Sequence, residues 1–194
     1  MRVVNYTATI DESICTGCKR CETVCPPAAI EVIDKVAHVD EEKCLACTKC
    51  WHLCPEHAVM MIPRSDELYV GVDFDEVNPA AIDALCKKAH FFPEQFVCAC
   101  TLTLAKEVAA AVILGAKTPE EVTATTGARS GCAIYCMGPI LRILKAHGVE
   151  IQEPGNHRWY DLSLSLWDVS DEVAEKYPGY FLQADKKGFN GGSL

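Results

Sequence analysis

The chain has 194 residues, with 27 acidic side chains against 18 basic ones, a formal net charge of −9, and 13 cysteines. The acidic balance argues against nucleic acid as a partner, and an odd number of cysteines argues against a disulfide framework. No apolar run is long enough to span a membrane and no targeting segment is visible, so the expected setting is cytoplasmic, reducing and anaerobic.

Val3 to Ile10 alternates in the manner of a strand. It leads into Cys15-x-x-Cys18-x-x-Cys21-x-x-x-Cys25-Pro26, and the same spacing returns at Cys44-x-x-Cys47-x-x-Cys50-x-x-x-Cys54-Pro55. Four thiolates in C-x2-C-x2-C-x3-C-P order bind a cubane iron–sulfur cluster, and in two-cluster proteins the fourth cysteine of each run crosses to the other cluster. The expected ligands are Cys15, Cys18, Cys21 and Cys54 for cluster I, and Cys44, Cys47, Cys50 and Cys25 for cluster II. Such spacing asks for an irregular loop rather than a regular helix or strand, with backbone N–H groups aimed at the sulfurs. Gly17 and Ala46 are the small residues of the two loops, and Pro26 and Pro55 turn the chain towards the next strand. All-cysteine zinc sites use two separate C-x2-C pairs, which four cysteines in one run do not supply.

Ile30 to Val39 reads as a short hairpin and Val59 to Ile62 as a closing strand. Residues Ile14 to Ile33 align with Lys43 to Ile62 as an internal repeat. On these motifs residues 1–63 resemble a two-cluster bacterial ferredoxin domain. That resemblance implies an α+β fold holding two [4Fe–4S] clusters.

Pro63 to Asp66 is a polar break, taken as the first boundary, and Leu68 to Phe74 reads as a further strand. Asn78-Pro79 supplies an N-cap and a proline at the first helical position, followed by Ile82, Leu85, Cys86 and Ala89 at helical spacing. Cys86 lies on that apolar face and is expected to be a buried core thiol.

Cys98-Ala99-Cys100 and Cys132-Ala133-Ile134-Tyr135-Cys136 hold the remaining cysteines. Between them, Thr103 is expected to cap a helix over about 104–114, closed by Gly115. Thr118-Pro119-Glu120-Glu121 carries a capping box for a helix running to about Thr126 and ended by Gly127. Pro139 to His147 reads as a third helix. This arrangement, with Gly115-Ala116-x-Thr118 and Thr126-Gly127-Ala128-x-Ser130-Gly131-Cys132, resembles the bacterioferritin-associated-ferredoxin-like domain over about Val97 to Gly148. The resemblance implies a third iron–sulfur site at Cys98, Cys100, Cys132 and Cys136. Members of that family usually bind [2Fe–2S] through C-x-C and C-x2-C. This chain has one extra residue in the second pair, so a larger [4Fe–4S] cube is preferred here over [2Fe–2S], with zinc a further alternative.

Trp51, His52 and His57 flank the second run and are expected to pack or to screen solvent. Arg129 is either a donor to cluster sulfur or a surface charge. Residues 149–194 carry no cysteine but hold Trp159, Tyr160, Trp167, Tyr177, Tyr180, Phe181 and Phe189. Ser170 can cap a short helix ended by Pro178-Gly179, and residues 186–194 are expected to be flexible.

The expected fold is α+β: a ferredoxin-like domain (1–63), a small helical iron–sulfur domain (64–148), and an extended aromatic tail (149–194) that either docks onto a larger subunit or packs over the helical domain. No P-loop, nucleophile elbow or G-x-G-x-x-G is present. The expected role is therefore a non-catalytic electron-transfer subunit. The order of parts resembles the small iron–sulfur subunit of tungsten-dependent class II benzoyl-CoA reductases. That resemblance implies a larger tungsten-containing catalytic subunit and further electron-transfer subunits as partners. Iron–sulfur assembly or transfer, and redox sensing, are the alternatives.

Overall fold

In the computed structural model, residues 2–151 and 161–191 are described. They form two compact units, Met1–Asp161 and Leu162–Leu194. Mixed short sheets and helices give an α+β protein. Among the described residues no helix is long and apolar enough to cross a membrane.

The first unit opens with strand β1 (Arg2–Ile10) and closes its first half with β4 (Val59–Val70), which runs antiparallel to β1. Between them lie helix α1 (Arg20–Val24), the hairpin β2 (Ile30–Ile33) and β3 (Val36–Val39), and helix α2 (Lys49–Leu53). Asp34 and Lys35 both have positive φ, 48° and 67°, the conformation of a tight hairpin turn matched to strand twist. The internal repeat is written into the backbone. Gly17 and Ala46 are left-handed at φ 65° and 51°, Lys19 and Thr48 at 63° and 61°, and Ala28 and His57 both at 53°.

Strand β4 is longer than the sequence suggests. The expected break at Pro63–Asp66 does not end it; the chain bulges instead. Val4 pairs with Leu68 and Tyr6 with Pro63, so the intervening polar residues bow out of the ladder. The boundary expected after residue 63 falls inside this bulge. The bulge also places Arg64 to fasten the start of the second cysteine loop. Its side chain donates to the carbonyls of Tyr6 (3.1 Å), Cys44 (2.9 Å) and Glu41.

The second half of this unit packs α3 (Pro79–Lys88), α4 (Ala105–Ile113), α5 (Pro119–Thr126) and α6 (Met137–His147) around one core, with a small hairpin of β5 (Phe96–Cys98) and β6 (Thr103–Leu104). The alanine-rich α4 is buried on nearly every side and touches the other three helices. Asn78 caps α3 through Ala80 N–H at 2.9 Å. Thr118 Oγ1 accepts from Glu121 N–H at 3.1 Å while Glu121 accepts from Thr118 N–H at 3.2 Å. Thr103 is not the cap of α4. Its hydroxyl pairs with that of Thr101 (2.8 Å), and Glu107 accepts from Leu104 N–H at 2.6 Å. Cys86 is fully buried in this core, and burial pushes its thiol up to about 11.

In the second unit Ser170 caps α7 (Asp171–Lys176), as its position suggests. Of residues 186–194, expected to be flexible, 186–191 instead belong to α8 (Leu182–Gly191). Trp167 meets Phe189 edge to face at 5.0 Å, and Lys186 donates to the Val169 carbonyl at 2.6 Å. The tail is thus partly helical rather than extended. Trp159 and Tyr160 lie outside the described residues.

Candidate metal centres

Each long cysteine run makes a loop followed by one turn of helix. Lys19 and Thr48, both left-handed, start α1 and α2, and Cys25 and Cys54 end them in extended conformation at ψ 112° and 113°. Cys21 and Cys50 therefore stand on short helices, where an irregular loop was expected throughout. Cys25 and Cys54 leave the helices pointing their chain away from them, which suits a crossing role.

The structure gathers the cysteines in crossed sets. Cys15, Cys18, Cys21 and Cys54 line one cavity, together with Gly17, Val32, Ala37 and Val59. Cys25 sits instead among the second run: burial pushes its thiol up to about 12, and Cys47, Cys50 and Cys44 add to the rise. Cys50 is raised to about 12, again by burial first and then by Cys47 and Cys44, with a contribution from Cys21. Cys21 is raised by burial as well, against the N–H of Glu22. Cys21 and Cys50 lie in one buried cluster, where the two sets come together. Backbone N–H groups point at the sulfurs: Ala29 to Cys25 at 3.2 Å, Ala58 to Cys54 at 3.3 Å, and Ala8 to Cys44 at 3.4 Å. Such donors stabilise thiolate and tune a bound cluster.

The third set is built from the β5–β6 turn and the loop before α6. Cys98 and Cys136 are buried; Cys100 and Cys132 are exposed. The sulfurs meet across the two segments, Cys98 with Cys136 and Cys100 with Cys132. The Cys98 thiol is lowered by the hydrogen bond from Cys136, whose own thiol rises in return. Cys132 is lowered by the N–H groups of Ile134 and Tyr135. The extra residue between Cys132 and Cys136 is absorbed by a turn in which Ala133 has φ 60° and Ile134 and Tyr135 stand in solvent. A Cβ on Gly131 would lie 2.3 Å from that of Cys100, so the two segments approach only because this residue is glycine.

The residue that sequence reasoning could not place is Arg129. It is not a surface charge, being only 6% exposed. Its backbone N–H serves Cys98 and Cys136, and its buried guanidinium pairs with Glu120 at 3.2 Å. Of the flanking residues, Trp51 is half exposed on α2, its ring 4.9 Å from that of His52. Among the described residues, no three His, Cys, Asp or Glu side chains close around a single metal ion. Sets of four cysteines with N–H donors aimed at their sulfurs are the donor chemistry of iron–sulfur clusters.

Residues 8–61 match a family model described as a 4Fe-4S dicluster domain, and residues 96–146 match one described as a BFD-like [2Fe-2S] binding domain. The chain carries these two iron–sulfur modules in series. The second description is of a two-iron site and runs against the cube preferred from the widened cysteine pair. No curated protein and no solved structure matches the chain.

Proposed function

We propose that the chain is an iron–sulfur electron carrier with three redox sites in line, working as a subunit of a larger oxidoreductase. Cys15, Cys18, Cys21 and Cys54 would hold cluster I, Cys44, Cys47, Cys50 and Cys25 cluster II, and Cys98, Cys100, Cys132 and Cys136 a third cluster. Such clusters supply reversible one-electron storage. The observation that carries the reading is the adjacency of the sets: Cys21 and Cys50 share one buried cluster, and Arg129, three residues before Cys132, bonds the carbonyl of Pro26 beside Cys25. Cluster II would then stand between the other two. Cys18 of the first set and Cys100 and Cys132 of the third are exposed, giving the path two ends open to partners. The dicluster and BFD-like matches support electron transfer in general.

The finer reading is a cytoplasmic subunit of an anaerobic complex, delivering electrons to or from a tungsten-containing catalytic subunit of the class II benzoyl-CoA reductase type. The order of parts supports it. So does the second unit, where Leu164, Tyr177, Tyr180 and Phe181 are exposed, a surface suited to a protein partner.

Anaerobically purified protein should contain about twelve iron atoms per chain if the third site is a cube, or about ten if it holds two irons. About eight irons with zinc present would overturn the three-cluster path. A second reading, cluster transfer, is favoured by the exposure of Cys100 and Cys132. The two separate cleanly. A carrier titrates reversibly with one-electron reagents and keeps its iron, whereas a transfer protein gives its third cluster to an apo-acceptor.

A further inference from the structure

Two arginines cross between the halves of the first unit in opposite directions. Arg129, in the loop before Cys132, reaches the first half. Its Nη1 donates to the Pro26 carbonyl at 3.2 Å, to Glu120 Oε1 at 3.2 Å and to Thr123 Oγ1 at 3.4 Å. Arg2, at the start of β1, reaches the second half. Its Nη2 donates to the Thr101 carbonyl at 2.7 Å. The Arg2 guanidinium also lies against Gly127, where an added Cβ would stand 3.0 Å from Nη1. Gly127 closes α5 in the left-handed conformation at φ 75°. Both arginines therefore bear on α5, Arg129 on its Glu120 and Thr123, Arg2 on the glycine that ends it.

The points of attachment are the two segments of the third cysteine set. Thr101 directly follows Cys100, and Arg129 stands three residues before Cys132. Each segment is thus tied to the first half by its own arginine, and the segments press together at Gly131 and Cys100. Both ties lead to cysteines assigned above to cluster II. Pro26 directly follows Cys25, and β1, which Arg2 begins, donates from Ala8 N–H to Cys44 Sγ at 3.4 Å. Each tie is a charged donor on a carbonyl oxygen, the stronger class of hydrogen bond. Electron exchange between two redox centres weakens steeply with their separation, so a path through both halves needs that separation held by its supporting residues.

We propose that Arg2 and Arg129 are positioning residues, two reciprocal clasps that hold the third site at a fixed separation from cluster II so that electrons pass between them within the chain. The exchange moves one electron: one site is oxidised by one unit as the other is reduced by one, and no proton or ligand bond changes. This rests on the reading of Cys98, Cys100, Cys132 and Cys136 as an iron–sulfur site.

The test is EPR of fully reduced, full-length, anaerobically purified protein, with iron analysis of each sample and the rate of electron equilibration after flash reduction. In the wild type the third site's signal should be broadened by magnetic interaction with cluster II. At full iron content that broadening should weaken, and equilibration slow, in Arg2→Gln and in Arg129→Gln, and the broadening should be lost when the two are combined. The interaction between clusters I and II should stay unchanged. Arg2→Lys keeps a charged donor on a long stem and should retain the wild-type broadening. A third signal without broadening in the wild type overturns the proposal. So does an unchanged broadening and rate in the combined variant, even if its melting temperature falls, because the arginines then serve folding alone. Should Arg129→Gln lose the third cluster, the half-buried Arg2 decides: unchanged broadening and rate in Arg2→Gln overturn the proposal. If the wild-type protein shows no third iron–sulfur signal, the reading of the site fails, and the proposal with it.

Discussion

A Cβ on Gly17 would lie 2.5 Å from the carbonyl oxygen of Lys35, and the residue has φ 65°. The first cysteine loop therefore rests directly on the turn of the β2–β3 hairpin, and only glycine permits both the contact and the conformation. Gly17→Ala should cost about 1–3 kcal/mol from backbone strain alone. It should also lower iron at cluster I before cluster II, read by iron content and EPR after anaerobic purification. At the same scale the crossing can be tested. Cys54 lines the cavity of the first run, and Cys25 sits among the sulfurs of the second. Cys54→Ser should therefore damage cluster I and Cys25→Ser cluster II; each damaging only its own run's cluster would break the crossed assignment.

Helix α5 is the element that ties the helical half to the cluster II loop. It presents Glu120 and Thr123 to Arg129, and with Pro27, Ala28 and Lys43 it lines one cleft. Its capping box was readable from Thr118-Pro119-Glu120-Glu121, because caps are local chemistry and need no tertiary information. Thr118→Ala should cost about 1 kcal/mol, seen as a fall of a few degrees in the melting temperature of the loaded protein, with iron content unchanged. The eight cysteines of the two runs were legible for a similar reason, since their spacing is itself the pattern. What was not legible depends on contacts distant in sequence. Strand β4 continues past Pro63 because β1 is there to pair with it, and the cost of the bulge is met by Arg64 reaching Tyr6 and Cys44. Helix α8 forms in a glycine-containing stretch because Phe189 finds Trp167 and Lys186 finds Val169. Arg129 had no readable role because its partner Pro26 lies 103 residues away.

At the scale of the molecule, the two halves of the first unit are held by different means. The helical core includes Val108, Val112, Ile140, Ile143 and Leu144, all buried. Each such side chain contributes about 1.5–3 kcal/mol, enough together to sustain α3, α4, α5 and α6 as a packed group. Among the described residues, the buried cluster of the first half holds nine side chains, of which four are Cys21, Cys25, Cys44 and Cys50 and three are alanines, with Ile10, Val32, Val39 and Met61 half-buried against it and Val4 and Val70 buried outside it. Of the nine, only Ile30 and Val59 are large aliphatic side chains. A core so small does not offset the conformational entropy of some sixty residues, so its stability must come largely from bound clusters. Stripping iron with a chelator under reducing, anaerobic conditions should therefore act unevenly. Backbone amides of β1, β2, β3 and β4 should lose their hydrogen-exchange protection, while those of α4 and α6 keep most of theirs. Equal loss in both halves would mean that the helical core also depends on metal, through Cys98 and Cys136, and that aliphatic packing alone does not sustain it. Retained protection in β1 and β4 would mean that the ribbon is stable without clusters. The cysteines of the first half would then be bystanders to its folding, and the case for crossed ligands as the staple of this fold would fall with them.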